Sequence, residues 1–295
     1  MTPRGRTVRL LGVPLDLGQS ERGTDVGPAA LRYAGLASGL QRLGHEVFDS
    51  GNLDIPVSSV VPKSRLVEVI ANTARRLADH TAATVARGEV ALTLGGDHSV
   101  AMGSVSGATR AQPTGLLWID AHGDFNTPEI SPSGNVHGMP LAVLLGSGHS
   151  ELVEAARAPR LSVDDVALVG IRQLDGLERE RLRDAGIHVF SMRDIDERGM
   201  ARVASEALDR ISGHGRLHVS FDVDALDPSV APGVATPVPG GLSYREAHLL
   251  MEMVSDTGML ASMDIVEVNP MLDVRNATAR VAVELALSAL GNRIY

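Results

Sequence analysis

Asp120, His122 and Asp124 stand at every second position directly after an apolar run, residues 116–119. In an extended backbone alternate side chains point the same way, so two carboxylates and an imidazole can converge just past the end of a strand. In a parallel α/β sheet that is where ligands bind. Hard oxygen donors with one imidazole suit a divalent metal, the competing reading being a capping or calcium-like turn. A second cluster, Gly95-Gly96-Asp97-His98-Ser99, follows the apolar run 90–94. Its paired glycines allow a tight turn in which the backbone passes close to something, and His98 falls at the start of a helix. Taken alone, such a histidine is more often structural than ligating. A third cluster, Ser220-Phe221-Asp222-Val223-Asp224-Ala225-Leu226-Asp227-Pro228, again alternates carboxylates at a strand end. Asp222 and Asp224 repel one another unless a cation or proton lies between them. Asp227-Pro228 reads as a solvated acidic turn. Glu267, after the apolar stretch 260–266, could aim a carboxylate at the same pocket, or serve as an N-cap or a surface ion-pair partner. Asp264, inside that stretch, is expected to partner a buried base.

His98, Asp120, His122, Asp124, Asp222 and Asp224 together supply two imidazoles and four carboxylates. That exceeds one small metal and suits two with bridging carboxylates. Mn²⁺ fits such donors better than a softer ion, with Zn²⁺, Fe²⁺ and Co²⁺ left open. Two metals about 3.5–4 Å apart can share a water and bring its pKa toward neutrality. The chemistry implied is hydrolysis at an sp² or phosphoryl centre.

These side chains need strands to carry them. Strands are expected over residues 8–13, 46–48, 90–94, 115–119, 166–169, 187–190, 217–221 and 260–266. Helices are expected from Pro28 through Leu31 and Leu36, and over 63–87, 141–145, 177–184, 201–211, 244–254 and 277–290. Pro28 suits a first helical position, and Gly88 supplies a stop. Residues 51–62 and 127–138 read as loops. Alternating strands and helices imply a parallel sheet covered on both faces. With no linker, low-complexity tract or repeat, one domain over residues 1–295 is expected.

Composition narrows the partners. With 44% hydrophobic residues, 295 residues can bury a full core. The net charge of −9, 3% aromatics and the lack of any basic block argue against a nucleic-acid partner. Carboxylate clusters favour cationic ligands: metals, amines, guanidines. The absence of cysteine excludes disulfides and thiolate metal sites. The basic stretch at residues 1–10 lacks the apolar core of a signal peptide, and no apolar run approaches the roughly 20 residues that span a bilayer. A cytoplasmic, non-membrane protein is expected.

The three clusters, in this order and separation, resemble the signatures of the ureohydrolase family. The match runs from the first strand to Pro270. Within the family the chain is most similar to its arginase branch. Three segments carry this: Leu15-Asp16-Leu17-Gly18-Gln19 with Gly23-Thr24-Asp25-Val26-Gly27-Pro28; Asn126-Thr127-Pro128 through Ser133-Gly134-Asn135-Val136-His137-Gly138; and Gly170-Ile171-Arg172-Gln173-Leu174-Asp175-Gly176-Leu177-Glu178. The resemblance implies a three-layer α/β/α fold with a central eight-stranded parallel sheet, and a centre of two Mn²⁺ ions. One ion would take His98, Asp120, Asp124 and Asp222, the other Asp120, His122, Asp222 and Asp224. It implies a bridging hydroxide that attacks the guanidinium carbon of L-arginine and gives urea and L-ornithine. Asp124 would move the proton to the leaving amine, and His137 would relay protons to solvent. Glu267 would pair with the guanidinium, and Thr236 would lie near its nitrogens. Asn126, Ser133 and Asn135 would meet the α-carboxylate, and Asp175 and Glu178 the α-amino group. A homo-oligomer, trimer or hexamer, is usual in the family.

Ala235 departs from the pattern, which often has glycine before the position of Thr236. If that backbone needs φ > 0, alanine would shift the loop. The nearest rival activities are those of an agmatinase or guanidinobutyrase, whose substrates lack the α-carboxylate or the α-amino group. A formimidoylglutamase would need an arginine for a second carboxylate, and none is evident. A phosphoesterase would need Lys or Arg within the ligand motifs, and a non-catalytic metal-binding protein would not need the full set intact.

Overall fold

A computed structural model describes residues 5–156 and 161–293. The first four residues of the basic N-terminal stretch and the chain end at Tyr295 lie outside them. Eight strands are formed: β1 (Thr7–Gly12), β2 (Glu46–Asn52), β3 (Val90–Leu94), β4 (Gly115–Ile119), β5 (Val166–Ile171), β6 (His188–Ser191), β7 (Leu217–Asp222) and β8 (Leu260–Val266). They pair in parallel throughout, in the order β2-β1-β3-β8-β7-β4-β5-β6. Eleven α-helices are described: α1 (Gly27–Tyr33), α2 (Leu36–Arg42), α3 (Leu66–Ala86), α4 (Ala101–Ala111), α5 (Pro140–Leu144), α6 (Ser150–Ala156), α7 (Gly176–Ala185), α8 (Met192–Arg198), α9 (Met200–Ile211), α10 (Tyr244–Thr257) and α11 (Ala277–Ala289).

The period of two along each strand divides the core. Leu117 and Ile119 pack on one face with Val219 and Phe221, under α1, α2 and α8 to α11. Leu116 and Trp118 pack on the other, under α3 to α6 and Leu182 of α7. The sheet is therefore covered on both sides, as its near-continuous apolar strands require. On the second face, β7 and β8 present His218, Ser220, Ser262 and Asp264, all buried.

The expected strands all form, with the second extended from 46–48 to Asn52. That extension is an exposed edge strand with little apolar content, which hid it. Pro28 lies in the first turn of α1, as expected. The helix does not continue through Leu36: Gly35, at φ 89°, breaks the chain and starts α2. The 63–87 stretch begins as a 3₁₀ turn, Lys63–Arg65, before α3. α8 was not anticipated, although Ser191 and Asp194 form a capping box at its start.

The turn at Gly96 explains the paired glycines. A Cβ on Gly96 would stand 1.8 Å from the Leu15 carbonyl oxygen. The chain after β1 therefore lies directly against the turn after β3, and the Asp97 amide donates to that same carbonyl at 2.7 Å. Asp97 accepts from the Ser99 and Gly18 amides, which gives it a structural cap role.

Candidate active site

The C-terminal ends of β3, β8, β7 and β4, four neighbouring strands, deliver the candidate residues to one place. His98 follows β3, Glu267 follows β8, Asp222 ends β7 with Asp224 two residues on, and Asp120, His122 and Asp124 follow β4. His98 Nδ1 lies 3.2 Å from Asp120 Oδ2, 2.9 Å from Asp124 Oδ2 and 3.1 Å from Asp222 Oδ2. His122 Nδ1 lies 3.4 Å from Asp120 Oδ1 and 3.1 Å from Asp224 Oδ2. Two groups could each hold a metal ion: His98 with Asp120 and Asp222, and Asp120 with His122 and Asp224.

Backbone and side-chain donors aim these groups. Trp118 Nε1–H donates to Asp120 Oδ2 and the His122 amide to Asp120 Oδ1. The Asp224 amide donates to Asp222 Oδ1, and the Ala121 amide to Asp224 Oδ1. Thr236 Oγ1–H donates to Asp224 Oδ2 at 2.9 Å. Ala235 is not among the positive-φ residues, so alanine is accommodated there and Thr236 reaches the site. Asp124 and Glu267, by contrast, take positive φ of 49° and 62°, uncommon for non-glycine residues and typical of functional turns.

A cleft with a cavity volume of about 110 Å³ opens over the cluster. His98, His122, Asp124, Asp222 and Asp224 line its floor; Asn126, Ser133, His137, Asp175, Glu178 and Thr236 line the rest, with Gly138 and Gln173. Asp120 lies beneath the floor, wholly buried. Asn135 is turned aside, its Oδ1 accepting from Ser20 at 3.1 Å, and it does not line the cleft. Asn126 Nδ2 donates to Asp175 Oδ2 at 3.0 Å. Asp175 and Glu178 form the capping box of α7, and Glu178 Oε1 also accepts from the Phe125 amide at 2.9 Å. Glu267 is buried behind the cleft, with Oε1 accepting from the His98 amide and facing His137 Nδ1, and Oε2 accepting from Gln19.

Gln19, Gln173 and Ser220 were not singled out from the sequence. Gln19 and Gln173 sat inside quoted motifs with no charge to mark them. Ser220 reads as one more strand residue until its contact with His98 is seen. Asp264 does partner a buried base, lying 2.9 Å from His218 Nε2.

The electrostatics demand positive charge. Burial pushes the Asp124 carboxyl up, and Asp120's charge pushes it further, to about 6 despite His98. Burial and the Asp224 and Asp120 charges drive Asp222 well above its ordinary value. Burial opposes charge on both imidazoles, yet the surrounding carboxylates outweigh it: His98 is raised well above its ordinary value and His122 to about 12. Burial likewise opposes ionisation of Asp120, but His122 and His98 hold it well below the usual range. Protons thus gather where cations would. His98 Nδ1 and Asp124 Oδ2 are buried without a qualifying hydrogen bond, as ligand atoms facing a metal position would be. The donor set fits hard divalent cations.

Fold and site together define an α/β/α protein with a carboxylate–imidazole centre at the strand ends of its sheet. The arginase-family profile matches residues 6–291. The chain belongs to the arginase family. It is 45% identical to an arginase of Bacillus subtilis over 98% of this chain and 99% of that one. The crystal structure of arginase from Bacillus subtilis superimposes with a TM-score of 0.93 at 44% identity, covering 98% of this chain and 100% of that one. The native structure of the Bacillus caldovelox arginase superimposes with a TM-score of 0.94 at 43% identity and the same coverage. Among the described residues no helix is long and apolar enough to cross a membrane.

Proposed function

We propose that this protein hydrolyses L-arginine to L-ornithine and urea. The reading rests above all on one observation: two groups that could each hold a metal ion share a cleft with a ring of neutral and acidic polar side chains. Its family relatives point the same way. His98, Asp120, Asp124 and Asp222 would hold one Mn²⁺; Asp120, His122, Asp222 and Asp224 would hold the second. Bound there, such ions lower the pKa of a water and supply a nucleophile near neutral pH.

The protein's own residues do the rest. A guanidinium is a poor electrophile, so it must be positioned. Glu267 has about four acceptor sites. Three face donors from His98, His137 and Gln19, which leaves one for a guanidinium N–H. Thr236 borders the cleft in front of Glu267. Asp124 takes the nucleophile's proton and returns it to the leaving nitrogen. His137, whose ring is raised to about 9 by Glu267 against the effect of burial, passes protons outward. Asn126 and Ser133 receive the α-carboxylate, with Asn135 reaching it by releasing Ser20 or through water. Asp175 and Glu178 receive the α-amino group.

The test is urea release by Mn²⁺-loaded protein, with L-arginine and agmatine in parallel. Turnover of arginine alone supports the reading. A preference for agmatine would keep the hydrolysis and overturn the assignment of Asn126, Ser133, Asn135 and Asp175. We also read the protein as cytoplasmic and, as the family resemblance implies, as a homo-oligomer of three or six copies. A solution mass of one 31.0 kDa chain would overturn the assembly.

A further inference from the structure

We propose that Asp264, braced by His218, is a positioning residue that fixes the proton of His98 on Nε2, so that Nδ1 faces the carboxylate cluster as a lone-pair donor. The inference rests on the metal-centre reading above and concerns side chains which that reading does not use.

The starting point is a buried polar seam. On the face of the sheet beneath α4, β7 and β8 present His218, Ser220, Ser262 and Asp264, each no more than 1% exposed. A buried ion-pair partner with no binding role is often replaceable by apolar side chains at no cost. Every member of this seam, however, is hydrogen-bonded. Asp264 Oδ1 accepts from Ser220 Oγ at 2.7 Å. Its Oδ2 accepts from Ser104 Oγ of α4 and lies 2.9 Å from His218 Nε2. His218 Nδ1 lies 2.7 Å from Ser262 Oγ. At the other end, His98 Nε2 lies 2.9 Å from Ser220 Oγ.

Proton counting then fixes the direction of the two bonds made by Ser220. Burial disfavours charge on Asp264, but the His218 contact outweighs it and holds the group below its ordinary value, so it is a carboxylate. A carboxylate only accepts. Ser220 has one hydroxyl proton, and Asp264 Oδ1 takes it. Toward His98 the hydroxyl can then only accept, so Nε2 must carry a proton. With Nε2 occupied by that proton, Nδ1 is the nitrogen left to offer a lone pair. That atom faces oxygens of Asp120, Asp124 and Asp222 at 2.9–3.2 Å. The ring cannot readily turn over to exchange its nitrogens, because Trp118 stacks on it with centroids 4.2 Å apart and planes 14° apart. Partners that orient metal-ligating histidines typically change metal affinity about 10–100-fold when removed.

The double variant His218→Phe, Asp264→Leu removes both halves of the buried pair and supplies apolar volume, which preserves folding better than removing one partner. It frees the Ser220 hydroxyl to donate toward His98 Nε2. Metal-free parent and variant would be titrated with Mn²⁺ alone, with Tm measured alongside. The expected result is at least about a tenfold loss in one of two Mn²⁺ affinities, the other being kept, in a protein that still unfolds cooperatively. Asp264→Asn, whose oxygen still accepts from Ser220 and whose amide can donate to His218, is expected to stay close to the parent. A folded double variant with both affinities unchanged would overturn the proposal, as would equal losses at both sites that merely track Tm. Should the double variant not fold, the parent still decides. In the Zn²⁺-loaded parent, the imidazole NMR signals should show His98 with a slowly exchanging Nε2–H. Coordination through Nε2, with the proton on Nδ1, would refute the wiring. A parent that binds neither metal removes the centre and this proposal with it. A parent that binds metal but releases no urea from arginine leaves it standing.

Discussion

Asp124 combines two unusual properties: a left-handed backbone and a buried carboxylate oxygen without a qualifying hydrogen bond. Asparagine tolerates the left-handed region, whereas alanine there costs on the order of 1–2 kcal/mol. Asp124→Asn should therefore keep the parent's fold while turnover falls at least about a hundredfold, the size of a lost acid–base group. Asp124→Ala should lose both turnover and stability. Urea assays and thermal unfolding of the two variants check this, and near-parent turnover in Asp124→Asn would contradict the proton role. Glu178 makes a different point. Burial raises its carboxyl to about 7, opposed by the Phe125 and Asp175 amides and helped by Asp124's charge. Its folded value lies above its unfolded value, so its contribution to stability is complete in acid and is lost as pH rises from about 4.5 through 7. Glu178→Gln cannot ionise, so that part of the decline, roughly 3 kcal/mol at most, should vanish from the metal-free Tm–pH curve. An unchanged curve would show that the carboxyl is not held neutral.

Elements carry what single residues could not reveal. The alternation of aspartates after apolar strands made β4 and β7 legible, because period two in a strand is also the period of convergence. That the strands bearing His98, Glu267, Asp222 and Asp120 would be neighbours was not legible from spacing. It depends on crossovers that insert β8 and β7 between β3 and β4. Strand-end placement and donor chemistry suggest one shared site, and the family resemblance agrees, but the adjacency of the strands is visible only in space. Side chains bonded to side chains were likewise hidden. Asn135 on Ser20, Gln19 on Glu267 and Ser220 on His98 are pairings between distant segments that no local pattern records. The paired glycines mark a close approach at Gly96, but its neighbour is found only in space. Gly96→Ala should drive the turn away from the Leu15 carbonyl and cost roughly 3 kcal/mol, as overpacking does. Calorimetry should show a Tm several degrees lower, and a parent-like Tm would mean that the two segments part easily.

At the scale of the whole molecule, the sheet brings four carboxylates, Asp120, Asp124, Asp222 and Asp224, and two imidazoles to one end of the core, with no disulfide to compensate for the repulsion. Metal and pH should therefore act on stability in opposite ways. Without metal, the raised Asp124 and Asp222 and the raised His98 and His122 all bind protons more tightly in the folded state than in the unfolded chain. Asp120, held low, works against them. The net contribution of this cluster is greatest in acid and falls as pH rises. With metal the ligands must shed those protons, so binding is weak in acid and strengthens as pH rises. A ligand present at about a thousandfold over its Kd adds about 4 kcal/mol per site. The increase in Tm on adding Mn²⁺ to chelator-treated protein should thus be large near pH 8 and much smaller near pH 5.5. Thermal unfolding at both pH values, with and without Mn²⁺, measures it directly. An equal increase at the two would mean that the metal binds somewhere other than this proton-rich cluster.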